Sequence, residues 1–186
     1  IDTVMTPYDS IRYYKSFLRT AIVSMEPQTG HIKAWVGGID YNNFKYDQVY
    51  QGARQVGSAF KPFVYATAID QKHYTPCYQI PDTKTCIEAG KWGNAKEWCP
   101  RNANGSFSGK MLTLKSALAN SINSVTAKLM DEVGPATVID LIAKLGINTK
   151  DIPSLPSICL GSADITLLEM VGAYGAFANE GNYLQP

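Results

Sequence analysis

A helix that is apolar around most of its circumference is the strongest constraint that this sequence places on its fold. Between residues 58 and 71 the only charged side chains are Lys61 and Asp70. Such a helix lies in the centre of a domain rather than on its surface. Pro62 is acceptable only near a helix start, where the missing N–H costs least. The sequence therefore predicts a central helix over residues 58–71, with Ser58 and Lys61 in its first turn.

Ser58 and Lys61 are spaced so that their side chains lie on one helix face. A lysine near the start of a buried helix is partly desolvated, which lowers its pKa and favours the free amine. A free amine beside a serine hydroxyl can remove its proton, and N–H groups of the first turn can stabilise an oxyanion. The pattern therefore indicates acyl transfer through a serine ester. Because Ser-x-x-Lys is frequent by chance, the alternative is a helix-start serine with an exposed lysine one turn on.

A second polar cluster lies in the run from Leu112 to Leu129. Thr113 is predicted to cap a short helix, and a second helix is predicted over Val125 to Val133. The residues that interrupt the apolar pattern between them are Asn120, Ser121, Asn123 and Ser124. Ser and Asn favour caps and turns because their side chains compete for backbone hydrogen bonds. On its own, this cluster is most simply interpreted as an inter-helix turn.

Together, Ser58-x-x-Lys61 and Ser121-Ile122-Asn123 resemble two motifs of the serine acyltransferases that bind penicillin. The segment 54–65 is similar to the nucleophile segment of class A, bifunctional penicillin-binding proteins. Segments 21–38 and 160–179 resemble the hairpin that opens their transpeptidase domain and the part ahead of its last strands. The resemblance covers residues 20–186. It implies an α/β (α+β) fold of the β-lactamase/DD-transpeptidase type, with a mixed sheet, flanking helices and an all-helical lobe.

The resemblance also implies a role for each candidate residue. Ser58 would attack the carbonyl between two D-alanines of a peptidoglycan stem peptide, and Lys61 would take its proton. Ser121 would relay a proton toward the leaving amine, and Asn123 would hold Lys61 and the substrate amide, so that Ser58, Ser121 and Asn123 also bind substrate. A neighbouring peptide amine would resolve the ester into a cross-link, whereas a β-lactam would leave a stable ester. No cofactor and no metal is implied.

The third motif of the family, Lys-Thr/Ser-Gly, does not occur in the chain, since no lysine follows Lys150. That motif would supply a cleft wall, a cationic anchor for the substrate carboxylate and half of the oxyanion hole. We therefore expect residues 1–19 to be a lead-in segment and residues 20–186 to be a transpeptidase domain truncated before its C-terminal strands. Alone, they are expected to acylate slowly and to self-associate through uncovered apolar faces.

Two rival functions share the acylation step. A serine β-lactamase also needs a carboxylate that activates water, and Glu169 is already accounted for by its predicted place in a helix cap. A third alternative is a penicillin-sensing or purely structural domain that keeps the fold and lacks cross-linking activity. The four intact candidate residues argue against a purely structural domain, but a sensor can keep all of them.

Composition excludes some partners. The net charge of +1 gives no electrostatic footprint for nucleic acid. No apolar run approaches the length of a membrane span, and no signal peptide is visible at Ile1. The resemblance instead implies a parent protein anchored at the periplasmic face of the bacterial cytoplasmic membrane. It would carry a glycosyltransferase domain and act on glycan strands derived from lipid II.

The four cysteines lack the spacing of a zinc site. A periplasmic location permits a disulfide, for which Cys86–Cys99 and Cys77–Cys86 compete, while unpaired cysteines are the third alternative. Cys159, between two aliphatic residues, is predicted to be a small core residue.

The remaining elements follow from local patterns. Alternating apolar residues predict a hairpin, residues 39–57 form a Tyr-rich loop, and the Cys-bearing excursion spans residues 72–111. The other boundaries are a helix start at 6–10, hairpin strands at 20–26 and 31–37, a helix from Pro135 to Gly146, and a last helix from Thr166 to about Gly181, with Thr166 and Glu169 as a capping box.

Overall fold

A computed structural model of the chain describes residues 3–186. The α-helices are α1 (Pro7–Lys15), α2 (Lys61–Lys72), α3 (Leu114–Ala119), α4 (Asn123–Val133), α5 (Pro135–Lys144) and α6 (Leu167–Ala178). The strands are β1 (Ile22–Met25), β2 (Ile32–Val36), β3 (Arg54–Gln55), β4 (Gln79–Pro81), β5 (Met111–Thr113) and β6 (Asp164–Ile165). Short 3-10 helices cover Gly57–Phe60, Lys91–Gly93 and Pro156–Leu160.

The described strands form antiparallel pairs: β1 with β2, β3 with β6, and β4 with β5. The β1–β2 pair is the predicted hairpin, in which Ile22 lies opposite Val36. Its turn closes where the Gly30 N–H donates to the Glu26 carbonyl at 2.9 Å, with Gly30 at a φ of +75°. The predicted loop over residues 39–57 differs only at its end, where the short β3 pairs with β6.

The core surrounds α2, as its apolar composition predicts. Phe63 and Val64 of α2 are fully buried, together with Val125 and Leu129 of α4 and Ile142 of α5. Burial of each large apolar side chain contributes about 1.5–3 kcal/mol. The helix that carries the first motif is therefore anchored at the centre of the molecule.

The helix predicted over residues 58–71 begins as a 3-10 helix, Gly57–Phe60, and becomes α-helical at Lys61. The Lys61 N–H donates to the Ser58 carbonyl, which is the 3-10 pattern. Pro62 lies in the first turn of α2, where its missing N–H breaks no bond of the helix.

The second helical region corrects one boundary. Thr113 caps α3 as predicted, its hydroxyl accepting from the Ser116 N–H at 3.1 Å. The following helix α4, however, begins at Asn123 and not at Val125. Asn123 and Ser124, assigned from sequence to a turn, form its first turn because a distant side chain caps it, as described below.

Two further helix starts agree with the sequence. Thr6 caps α1 by accepting from the Asp9 N–H at 3.2 Å. Pro135 is the first residue of α5, and Gly146 follows its end at a φ of +81°. Residues 1 and 2 of the predicted lead-in segment lie outside the described residues.

The last helix α6 opens with the predicted capping box. The Thr166 hydroxyl accepts from the Glu169 N–H, and the Glu169 carboxylate accepts from the Thr166 N–H. The helix ends at Ala178, before the predicted Gly181, because Glu180 and Gly181 take left-handed conformations. Within residues 3–186, no helix combines the length and the apolar character needed to cross a bilayer.

The excursion over residues 72–111 is held by a disulfide between Cys86 and Cys99. Ile87 and Trp98 pair just inside it, so the bridged segment is a small hairpin. Cys77 is free and exposed, which removes the alternative Cys77–Cys86 pairing. Cys159 is fully buried, as predicted for a core residue.

Candidate active site

Lys61 is the buried centre of the candidate site, with only 1% of its surface exposed. Its Nζ donates hydrogen bonds to three oxygens: the Ser121 carbonyl at 2.7 Å, the Ser121 hydroxyl at 2.9 Å and the Asn123 Oδ1 at 2.6 Å. A buried amino group needs such partners because losing water without replacing its hydrogen bonds is costly. The structure therefore joins the two sequence clusters through this one side chain.

Ser58 lies one 3-10 turn before Lys61, and its side chain is exposed. Residues three apart eclipse one another in a 3-10 helix, so the hydroxyl and the lysine stem share one side of the segment. An exposed nucleophile candidate thus lies beside a buried base candidate.

Two effects act on the charge of Lys61: its hydrogen bonds to three oxygens favour the ammonium form, and burial favours the free amine. Burial lowers the pKa of Lys61, and charge on the neighbouring Cys159 would act in the opposite sense. Burial also raises the pKa of the Cys159 thiol to about 12. Cys159 is therefore uncharged at neutral pH.

Ser121 has a left-handed backbone, with a φ of +54°. A residue other than glycine in this conformation costs on the order of 1–3 kcal/mol and persists only where its surroundings hold it. Here the Ser121 and Ile122 N–H groups donate to carbonyls of α3. The reversal turns both the carbonyl and the hydroxyl of Ser121 onto Lys61.

Asn123 is the first residue of α4, and both ends of its amide are occupied. Its Nδ2 donates to the Arg101 carbonyl at 2.7 Å while its Oδ1 accepts from Lys61. Because Nδ2 faces a carbonyl, the amide keeps its oxygen toward the lysine.

Behind Asn123 lies a buried polar network that sequence reasoning missed. It consists of Asp82, Asn102 and Ser124, of which none is more than 7% exposed. Burial alone would raise the pKa of Asp82, but hydrogen bonds from Ser124, Ser108 and Asn102 lower it to about 2. Nothing local in the sequence signals this network, because its members are 20 or more residues apart.

The structure thus brings Lys61, Ser121 and Asn123 into direct contact and puts Ser58 in the adjoining turn. A metal site is not formed by the close group of Cys86, Glu97 and Cys99, because the two sulfurs are joined in the disulfide.

The chain matches the penicillin binding protein transpeptidase domain over residues 20–186. It belongs to this family. The resemblance found in the two motifs is thereby confirmed, and the site described above lies wholly within the matched residues.

The chain is also similar in sequence to individual members of the family. The chain is 35% identical over 164 residues to penicillin-binding protein 1A of Neisseria flavescens, covering 88% of this chain and 20% of that protein. It is 36% identical over 166 residues to penicillin-binding protein 1A of Rickettsia felis, covering 89% and 20%. The chain therefore spans about a fifth of the length of these relatives.

The fold class is confirmed by a solved structure. Penicillin-binding protein 1A from Haemophilus influenzae superposes with a TM-score of 0.79 at 30% identity, over 87% of this chain and 23% of that one. The arrangement of helices and antiparallel strand pairs is thus that of a penicillin-binding transpeptidase domain.

Proposed function

We propose that the chain is the D,D-transpeptidase part of a class A penicillin-binding protein, with Ser58 as nucleophile and Lys61 as general base. The observation that carries the proposal is the buried Lys61 amine, which contacts both Ser121 and Asn123 one turn from an exposed serine. An isolated surface lysine would have neither the burial nor the three partners.

Acylation uses each residue in turn. The Ser58 Oγ attacks the carbonyl of the penultimate D-alanine as its proton passes to Lys61 Nζ. The carbon–nitrogen bond then breaks, the leaving amine takes a proton through the Ser121 hydroxyl, and D-alanine departs. The Ser58 N–H, at the start of the 3-10 helix, acts as an oxyanion donor.

The ester is resolved by an amine from a neighbouring stem peptide. This amine attacks the ester carbonyl, an amide cross-link forms, and Ser58 recovers its proton. A β-lactam acylates Ser58 in the same way, but its leaving group stays tethered, so the ester persists.

The base role requires an uncharged Lys61. Because burial holds the pKa of Lys61 below that of free lysine, the amine loses its proton at lower pH than in water. The acylation rate is therefore expected to rise as the pH increases through that pKa and to reach a plateau above it.

One observation weighs against the rival β-lactamase. Glu169 accepts from the Thr166 N–H and the Asn148 N–H, both at 3.0 Å, and from the Thr166 hydroxyl at 2.6 Å. Both carboxylate oxygens therefore serve the cap of α6 and the preceding loop, which gives Glu169 a structural role.

The wider assignment rests on the class A resemblance. We place the full-length protein at the periplasmic face of the bacterial membrane, as a bifunctional transglycosylase and transpeptidase. Its substrates are stem peptides on glycan strands derived from lipid II, and β-lactams are its inhibitors.

Covalent labelling by a fluorescent penicillin tests the proposal. Ser58→Ala in the full-length protein should abolish labelling, whereas Ser154→Ala, an exposed serine elsewhere, should leave it unchanged. Undiminished labelling of folded Ser58→Ala protein contradicts the assignment.

The rivals separate by the lifetime of the label. Release over hours supports a transpeptidase or a sensor, and release within fractions of a second supports a β-lactamase. Formation of cross-linked muropeptides then distinguishes a transpeptidase from a sensor.

A further inference from the structure

Helix α4 begins without a cap from its own neighbourhood. The residue before it is Ile122, whose side chain has no oxygen to accept the first N–H groups. The missing cap comes from Asn102, in the excursion 21 residues earlier in the chain. Its Oδ1 accepts from the Asn123 N–H at 3.0 Å and from the Ser124 N–H at 3.1 Å.

The orientation of the Asn102 amide is set from behind. Its Nδ2 donates to Asp82 Oδ1 at 2.8 Å and to the Ser106 carbonyl at 3.0 Å. Both partners only accept, since the low pKa of Asp82 keeps that carboxylate ionised. The amide oxygen must therefore face α4.

Asp82 is itself fixed on both of its oxygens. Oδ1 accepts from the Ser124 hydroxyl at 2.6 Å, and Oδ2 accepts from the Ser108 N–H and hydroxyl, each at 2.8 Å. The network thus closes a ring through Asp82, Asn102 and Ser124. A buried network in which every member has a partner is rigid.

The residue next to Asn102 holds the other part of Asn123. The Arg101 carbonyl accepts from Asn123 Nδ2, and this turns Oδ1 toward Lys61. Two consecutive residues of the excursion therefore hold the backbone and the side chain of Asn123 at once.

We infer that Asn102 is a positioning residue for acylation, acting through Asn123 on Lys61 and Ser121. This inference rests on the proposed function. Asn102 is not itself a catalytic residue, since it is 7% exposed and its partners are groups of the chain. Its substitution should release the Ser121–Asn123 turn while leaving Ser58 and Lys61 in place on α2 and its 3-10 lead.

A pH profile separates this role from a merely structural cap. The Asn123 oxygen accepts from Lys61 and so favours the ammonium form. When Asn123 is released, the pKa of Lys61 falls, and the rising limb of the acylation rate moves to lower pH. Among residues 3–186, Cys159 is the other titratable group whose charge bears on the pKa of Lys61. It is unchanged in the variant and stays uncharged.

The experiment measures acylation of the full-length protein by a fluorescent penicillin as a function of pH. Asn102→Ala should lower the plateau rate about 10- to 100-fold, as expected for misplaced catalytic groups, and should shift the limb to lower pH. Asn182→Ala is the control, because this exposed asparagine bonds to the Asn179 carbonyl and shares no hydrogen-bond partner with Asn102. It should leave both quantities unchanged.

A second pair of variants covers the case in which Asn102→Ala fails to fold. Asn102→Asp sets two carboxylates against each other at Asp82 and should slow acylation. Adding Asp82→Asn restores one carboxylate and one amide and should recover part of the lost rate. In the double variant, the carboxylate at position 102 can still accept from the first N–H groups of α4. The amide at position 82 can donate a hydrogen bond to that carboxylate.

Each outcome decides the matter. The inference is overturned if folded Asn102→Ala protein acylates at the wild-type rate with an unshifted pH profile. It is also overturned if the double variant acylates no faster than Asn102→Asp alone. Failure of the proposed function is recognised separately, because labelling would then survive in Ser58→Ala.

Discussion

Gly161 shows how a single residue sets the place of Ser58, the proposed nucleophile. Its N–H and carbonyl lie at the end of the 3-10 helix Pro156–Leu160, and its carbonyl accepts from the Gly57 N–H at 3.1 Å. Gly161 has a φ of +73°, and a Cβ there would overlap the backbone of Gly57. Because Gly57 directly precedes Ser58, a side chain at position 161 would displace the segment that carries Ser58.

We expect Gly161→Ala to lower both the free energy of unfolding and the rate of acylation. The matched control is Gly105→Ala, where φ is +74° and no atom lies within 4 Å of the added Cβ. The control should lose only the left-handed strain, about 1–2 kcal/mol. Gly161→Ala should lose about 1–3 kcal/mol more through overpacking. Urea unfolding measures the loss of unfolding free energy in each variant, and penicillin labelling measures the rate of acylation. Equal free-energy losses in the two variants would show that the close approach to Gly57 is unimportant.

At the scale of elements, the disulfide-bonded hairpin and the chain that leaves it contact α4 near both of its ends. Near the helix C-terminus, the hairpin's Lys91 pairs with Asp131 at 2.6 Å, and the Trp92 indole N–H donates to the same carboxylate at 3.2 Å. Near the N-terminus, the chain that leaves the hairpin supplies Arg101 and Asn102. Asn123, which we propose takes part in acylation, therefore lies on a helix that a disulfide-bonded segment holds in place.

Removing the disulfide by Cys86→Ser with Cys99→Ser should lower the free energy of unfolding by about 2–4 kcal/mol, because the unfolded chain regains entropy. Acylation should slow as well, since the chain that leaves the hairpin supplies Arg101 and Asn102, which hold Asn123. Cys77→Ser, which removes a free and exposed thiol, serves as the control. Thermal unfolding measures the loss of stability, and penicillin labelling measures acylation. A loss of stability with unaltered acylation would show that the disulfide does not help to position the site.

For the whole molecule, the strand β1 has an open edge. Among residues 3–186 its hydrogen-bonded partner is β2 alone, and Ile22 is 60% exposed. An unpaired strand edge with apolar side chains invites pairing with another chain. This arrangement supports the self-association expected from the sequence for residues 1–186.

Sedimentation of the isolated 1–186 chain should show association that increases with protein concentration. Ser24→Lys puts a charge on an exposed position of β1 and should weaken association, as charged side chains do on natural edges. Gln71→Lys adds the same charge to an exposed position of α2 and should not. If the isolated chain is monomeric, or if both variants weaken association equally, the β1 edge is not the contact.

Local patterns in the sequence determined most of the elements. The apolar run after Lys61 placed α2 at the core, because a helix without a polar face has no surface to lie on. Thr166 with Glu169 predicted the start of α6, because a capping box needs only residues of one turn. The pairing of Ser58 with Lys61 and the Ser121–Asn123 cluster were visible for the same reason: each lies within a few residues.

Tertiary structure alone decided how these pieces meet. The start of α4 was misplaced by two residues from sequence, since its cap, Asn102, comes from a distant loop. The choice of Cys86–Cys99 over Cys77–Cys86 or unpaired cysteines depends on how the excursion folds back, and so does the burial of Asp82. Hydrogen bonds and burial act through space, so contacts between residues far apart in the chain cannot be predicted from a local sequence pattern. Local caps and apolar helix faces can be predicted, because they are set by residues about one turn apart.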